Sequence, residues 1–394
     1  MKDRKSSESY AGLNQQPVFS IRVHRSFNDV EMQWRALQRV ANLYVFQTFE
    51  WLSAWQQQLG ERQGWQPRLM EVFVDDEVVM LCPLGIRQER SGCVLGFLGG
   101  DVTDYNAPVM HPAIFSDINQ TVFQKLWDDV IAQVPEADIV RLHRMPLTLQ
   151  GMRNPVTGLT GMLQTEQAHA VSLPETYADF QRTRSKQLFT NTRGKLRKLS
   201  QFGEVVCKVV EAPEERKQFI DNLARNKSRR WKETGSRDLF AEPGYLSFYK
   251  ALAESGIEDG EILLIGLQVG EQWIAMRWAI RLGQRVYSVL SAFEGGQWRK
   301  FAPGRVLLNG TIEWCIAKHW DVFDLTVGDE AYKLQWTDQV MPMYSGSYGV
   351  TARGKIMVYM QRCYRQMYAA ARNIGWLQSL VRRLRGKPAP ASDQ

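Results

Sequence analysis

Residues 262–305 read ILLIGLQVGEQWIAMRWAIRLGQRVYSVLSAFEGGQWRKFAPGR. Ile262–Val269 and Trp273–Ile280 are apolar, β-branched and aromatic runs separated by Gly270-Glu271, and Gly283-Gln284 turns the chain into a third run, Val286–Phe293. A glycine-bearing basic loop follows. Leu308, Ile312, Cys315, Ile316 and His319 then recur at helical spacing and predict the inner face of a helix. Pro303 and Gly304 fall where that helix begins, so unpaired backbone N–H groups are expected to point into the loop. Arg299, Lys300 and Arg305 crowd the same place. A helix N-terminus with fixed cations attracts an anion, and a diphosphate is the expected occupant.

The same order appears earlier in the chain. Arg68–Val74 and Val78–Arg87 predict a hairpin over Asp75-Asp76-Glu77, with Cys93–Leu98 as a third strand. A glycine-containing loop, a helix over 118–134 and a strand over 138–142 complete the succession. This duplicated order predicts a mixed α/β fold of two lobes, although two unrelated α/β modules also fit. The first loop, Gly99-Gly100-Asp101-Val102-Thr103-Asp104-Tyr105-Asn106, carries two carboxylates and no cation. It would repel a diphosphate, so the second lobe is expected to hold the phosphorylated ligand. Asp104 and Tyr105 become candidates for the acceptor wall; Asx-turns at Asp101 and Asp104 are the structural alternative.

Between the halves, Ser172 is expected to cap one helix reaching Ser200. Seven cations and no acid lie from Arg182 to Lys198. This is either a solvated basic face or a surface for the phosphates of a nucleotide, lipid or nucleic acid. A second basic group surrounds Trp231, following a helix expected from Pro213, and Trp231 reads as a core or cleft wall.

These residues resemble the GNAT acyltransferase superfamily, and within it the BioF2-like or CelD/BcsL-type acetyltransferases related to the FemAB aminoacyltransferases. The GNAT diphosphate signature Arg/Gln-x-x-Gly-x-Gly/Ala aligns with Arg299-Lys300-Phe301-Ala302-Pro303-Gly304, where Ala302 replaces the first glycine. The branch is also suggested by Ala302–Leu308, by Phe323–Trp336, by Phe46–Leu52 and by Arg229-Arg230-Trp231, spread over roughly residues 40–350. The resemblance implies two tandem GNAT-like lobes and acyl transfer from acetyl-CoA or another acyl-CoA. It also implies a role in bacterial polysaccharide or cell-envelope metabolism, acting on a small-molecule or glycan-precursor acceptor. A FemAB-like aminoacyltransferase using charged tRNA, and a non-catalytic assembly subunit for polysaccharide export, are the alternatives.

For an acyl-CoA donor, an oxyanion donor is expected among the backbone N–H groups of Leu290–Phe293. Proton handling is expected from the polar hook after the last strand. Asp329 or Glu330 would accept a proton, Tyr332 would protonate a leaving sulfur, and Lys333 would hold a phosphate or oxyanion. The Tyr332-Lys333 pair resembles the FemAB segment where a lysine assists transfer. Five histidines show no HxH, HExxH or His/Cys cluster, so no catalytic metal is expected, and His319 reads as a packing residue.

The expected organisation is a disordered tail over 1–18, lobes over 19–170 and 171–352, a basic helical segment over 353–386 and a disordered end over 387–394. The formal net charge is +7, yet nine basic residues lie between Arg353 and Lys387 without an intervening acid. The cluster at 374–387 is therefore a candidate for peripheral contact with an anionic membrane. Five cysteines, most of them in apolar runs, no long apolar span and no apolar core behind the polar start predict a cytoplasmic protein with reduced thiols.

Overall fold

Asp75 and Asp76 both adopt positive φ, 48° and 63°, and so reverse the chain tightly between two strands. Gly270 and Gly283, at φ 58° and 55°, do the same in the second half. These turns generate the antiparallel part of a 13-stranded mixed sheet. The computed structural model describes residues 17–372. Its strands are β1 (Ser20–His24), β2 (Gln66–Val74), β3 (Glu77–Glu89), β4 (Gly92–Phe97), β5 (Val109–Met110), β6 (Ile139–Pro146), β7 (Thr148–Leu149), β8 (Met152–Arg153), β9 (Leu163–Ser172), β10 (Val205–Val209), β11 (Gly260–Val269), β12 (Gln272–Leu282), β13 (Arg285–Phe293), β14 (Val322–Val327) and β15 (Gln339–Gly349). The helices are α1 (Glu31–Gln38), α2 (Phe49–Trp55), α3 (Pro112–Phe115), α4 (Gln120–Ala132), α5 (Tyr177–Arg182), α6 (Lys186–Leu199), α7 (Pro213–Thr234), α8 (Tyr245–Ser255), α9 (Pro303–Ala317) and α10 (Ala352–Arg372).

The strand order is β1-β2-β3-β4-β6-β15-β9-β14-β13-β12-β11-β10. Its two ends repeat one another. β1 through β4 pair antiparallel and β4 pairs parallel with β6 across α4. β10 through β13 pair antiparallel and β13 pairs parallel with β14 across α9. A pair of helices separates the first two strands of each unit, α1 and α2 in one, α7 and α8 in the other. The duplicated order read from the sequence is therefore a duplicated topology, a mixed α/β fold of two lobes. The lobes share a seam: β15 inserts between β6 of the first and β9 of the second, antiparallel to both. The expected boundary at 170/171 cuts through β9, a strand that pairs with β14 and β15 and so belongs to the second lobe's sheet.

Apolar layers cover both faces of the sheet. One contains Trp34, Trp51, Phe248 and Trp278, the other Phe180, Phe189, Leu307, Ile312, Phe323 and Trp336. Three local expectations change. The single helix expected up to Ser200 is two, because Thr176, not Ser172, caps α5 by accepting from the Asp179 N–H, and the chain breaks at Arg184-Ser185 before α6. His319 lies beyond the end of α9 at φ 57° and is exposed, so it does not pack on the inner face. Among the cysteines, all free, Cys82 and Cys315 are buried but Cys207 is exposed. The basic segment is helical to Arg372; residues 373–394, including the membrane candidate at 374–387, and most of the 1–18 tail lie outside the described residues.

Candidate functional site

The basic loop hangs on two aromatic pins. Trp298 and Phe301 are buried, and both meet Phe202 edge-on, at 5.5 and 5.4 Å between ring centroids. Gly295 lies so close to Arg229 that a Cβ there would sit 2.3 Å from its guanidinium. Arg229 donates to the Phe293 carbonyl at 2.7 Å, bracing the end of β13 where the loop departs. Ala302, at φ 49° and ψ 56°, occupies the left-handed region before α9, with Pro303 as the first helical residue. The signature's glycine thus marks a real backbone requirement, one that alanine meets only with strain.

The expected open cradle of N–H groups is narrower than the sequence suggested. The N–H of Ala302 bonds to the Arg299 carbonyl, and those of Arg305 and Val306 bond to the Ala302 carbonyl. What the loop offers instead is cations. Arg299 and Lys300 are exposed and Arg305 is half-buried; neither arginine has an acidic partner among the described residues. Lys195 of α6 donates to the Lys300 carbonyl at 2.7 Å, so the basic face of α6 and the loop form one positive surface. The side-chain set therefore fits a diphosphate.

β13 and β14 pair over only three positions, Arg285–Tyr287 against Val322–Asp324, before the ladder ends. Three residues at and beyond that point are unusual. Asp324 is fully buried and accepts from Tyr105 Oη at 2.7 Å, Arg285 at 2.7 Å and its own-strand Thr326 N–H at 2.8 Å. Thr326 is a β-branched residue at φ 58°, a conformation that persists where surrounding structure enforces it and that clusters at functional sites. Lys333, also buried, enforces it: its Nζ donates to the Val327 carbonyl at 2.8 Å and pairs with Glu330 at 3.0 Å. Gly328, at φ 124°, leaves the space this pair needs, since a Cβ there would stand 2.6 Å from Glu330 Oε2.

The first lobe brings Asp104 to this bend. Trp51 Nε1 donates to Thr103 Oγ1 at 2.9 Å and Gln47 donates to the Tyr105 carbonyl, so the Phe46–Leu52 motif props the loop on either side of Asp104. Asp104 pairs with Arg144 at 3.0 Å. Burial pushes its carboxyl above the usual range, against the downward pull of Arg144, the Thr326 hydroxyl and Lys333. From the opposite side, α7 supplies Trp231 and, one turn earlier, Lys227. Lys227 Nζ lies 5.4 Å over the Trp231 ring and donates to the Ser291 carbonyl at 3.2 Å, near the end of β13. Burial lowers its pKa, and Glu330, Lys333 and Asp104 are close enough to act on it.

Asp104, Glu330 and Lys333, which the sequence singled out, thus lie within electrostatic reach of Lys227, which it placed only within a basic cluster, and Lys227 lies over Trp231. Trp231 at i+4 on the same helix was the available signal. The other candidates stand elsewhere. Tyr105 is not on the acceptor wall; it is buried, and burial together with Asp324 pushes its phenol well above the usual range, keeping it a donor. Asp329 is tied at 2.9 Å to His169 of β9. Tyr332 is 43% exposed at the rim. Among the described residues no group of three His, Cys, Asp or Glu side chains could hold a metal ion, and no helix is long and apolar enough to cross a membrane.

Residues 186–334, from α6 to the hook, match the family model described as acetyltransferase (GNAT) domain. No curated protein matches the chain in sequence. In structure the chain is similar to FemX, with a TM-score of 0.58 and 11% identity over 87% of this chain and 99% of that one. It is also similar to a conserved protein of unknown function from Bacteroides thetaiotaomicron VPI-5482, with a TM-score of 0.51 and 11% identity over 83% and 99%. The chain thus shares the fold of FemX, and most of its second lobe matches a GNAT acetyltransferase domain.

Proposed function

We propose that this chain is an acyltransferase that takes its acyl group from a thioester donor bearing a diphosphate, acetyl-CoA or another acyl-CoA, and passes it to an amine or hydroxyl in the cleft between the lobes. One observation carries the reading: two arginines without acidic partners, Arg299 and Arg305, flank the start of α9 directly beyond the strand that leads into the cleft. The thioester supplies the activated acyl carbon.

The chain's own residues divide the remaining work. Arg299 and Arg305 hold the diphosphate, with Lys300 beside them. Asp104, whose raised pKa makes it a stronger base than an ordinary carboxylate, takes the acceptor's proton as the new C–N or C–O bond forms. Lys227, at the Ser291 carbonyl, places a positive charge where the oxyanion develops; one such preorganised donor is worth about 3 kcal/mol of barrier. Tyr332 at the rim is the group that returns a proton to the leaving sulfur. Lys333 and Asp329 act as positioning residues, one locking the Thr326 bend and the other fastening the hook to β9.

A second reading is aminoacyl transfer from a charged tRNA. It is favoured by the continuity of the α6 cations with the loop, a longer positive track than a diphosphate alone requires. A place in polysaccharide or cell-envelope metabolism, with a glycan precursor as acceptor, follows from the family resemblance. Free-thiol release from acetyl-CoA and longer acyl-CoAs, run beside transfer from aminoacyl-tRNA, separates these readings. Thiol release that depends on Asp104 supports the first. Transfer from tRNA alone replaces it with the second, and failure of both, with CoA still bound, leaves a non-catalytic assembly role.

A further inference from the structure

α10 is bound to the body of the protein along a narrow inner line. Val358 packs against Val94 and Ile139, and Gly354 approaches so closely that a Cβ would lie 1.8 Å from the Asp138 carbonyl oxygen. Thr351 fixes the helix start, donating to Asp138 at 2.7 Å and accepting from the Gly354 N–H at 3.0 Å. The opposite side of the helix is apolar and open. Ile356, Tyr359, Met360 and Met367 are between 57% and 70% exposed. At 3.6 residues per turn they form one stripe, with Lys355 and Arg362 along one edge, Arg362 also donating to the Ser347 carbonyl at 3.1 Å, and Arg353 along the other, 3.9 Å from Asp138.

The charge pattern decides what this stripe meets. From Gln339 to Ser392 the sequence contains nine basic residues and no acid. A second copy of α10 would bring cations against cations. So would the chain's own continuation, which carries Arg382, Arg383 and Arg385 beside Trp376, Leu377 and Leu380. An anionic bilayer accepts apolar side chains below its headgroups and cations among them.

We propose that α10 is a membrane-docking face that lays Ile356, Tyr359, Met360 and Met367 into the headgroup boundary of an anionic lipid surface, with Arg353, Lys355 and Arg362 against the headgroup phosphates. The proposal is independent of which group the cleft transfers.

The test is cosedimentation of the full chain with phosphatidylcholine vesicles, with and without phosphatidylglycerol. The chain is expected to pellet only with the anionic vesicles. The double substitution Met360→Asp and Met367→Asp is expected to weaken that binding at least about tenfold, with melting temperature and thiol release unchanged. If that variant folds poorly, Lys355→Glu with Arg362→Glu is the second probe, expected to abolish the preference for anionic lipid. Undiminished pelleting of both variants overturns the proposal, as does a wild-type chain that stays in the supernatant. A wild-type dimer in sedimentation velocity that the double substitution dissolves would also overturn it, by assigning the stripe to a second copy.

Discussion

Tyr105 and Asp324, 219 positions apart, share a buried 2.7 Å hydrogen bond that joins the acidic loop of the first lobe to the central strand of the second. Arg285 completes the arrangement from β13 with a 2.7 Å ion pair. Asp324 therefore has its oxygens satisfied by groups drawn from both repeats, which fixes how the two lobes meet.

Removing either partner should unfold the seam in proportion to what is left unpaired. Tyr105→Phe deletes one donor to a buried carboxylate and is expected to cost about 1–3 kcal/mol. Arg285→Met leaves that carboxylate without a counter-charge and is expected to cost about 3–5 kcal/mol. Urea denaturation with a constant slope checks both values. An Arg285→Met protein as stable as the wild type would contradict this account of the seam.

Ala302→Gly is expected to stabilise the protein. The residue sits at φ 49°, where a Cβ crowds the following carbonyl, and relief of that crowding is worth about 1–2 kcal/mol, offset in part by the greater freedom of glycine in the unfolded chain. A rise in melting temperature with unchanged donor affinity is the predicted result. Ala302→Val should move the melting temperature the other way.

Two lysines in the cleft should separate cleanly. Lys333 is a brace, so Lys333→Met leaves the Val327 carbonyl without its side-chain donor and is expected to lower stability by about 1–3 kcal/mol along with turnover. In the proposed mechanism Lys227 faces the reacting centre, so Lys227→Met should lower turnover at least about tenfold with little change in melting. Parallel melts and thiol-release rates on the two variants read this directly.

As the proposed base, Asp104 should set the acid side of the pH profile. Its carboxyl is raised, so the basic form is lost, and turnover falls, as pH drops through a value above the usual aspartate figure of about 3.9. The stability sign is opposite. The folded state binds this proton more readily than the unfolded one, so the group's contribution declines as pH rises from the ordinary carboxyl range through the raised folded value. Asp104→Asn should abolish the acid limb of the remaining activity and remove that decline in stability.

The sequence disclosed what depends on local periodicity and turn chemistry. β11, β12 and β13, the start of α9 and the matching hairpin of the first half follow from alternation and from Gly270, Gly283 and the Asp75-Asp76 turn. It did not disclose β15 as the seam, because the pairings of Met343 with Pro146 and with Glu166 span far-apart parts of the chain and leave no local signal. Edge strands β1 and β10 were missed for the same reason. At the site, Arg299, Arg305, Lys333 and Asp104 stood out as charges at strand ends and loops. Asp324 drew no expectation of its own, although an acid inside Phe323-Asp324-Leu325-Thr326-Val327 is itself a sign of burial with a partner.

The central claim is that Arg299 and Arg305 grip the diphosphate of the acyl donor, and the most direct measurement is calorimetric titration of coenzyme A into the wild type and into Arg299→Ala with Arg305→Ala. The account predicts binding by the wild type and at least about a tenfold loss in the double variant, with melting temperature unchanged. Equal affinity in the two proteins, or no heat from the wild type at all, would contradict it.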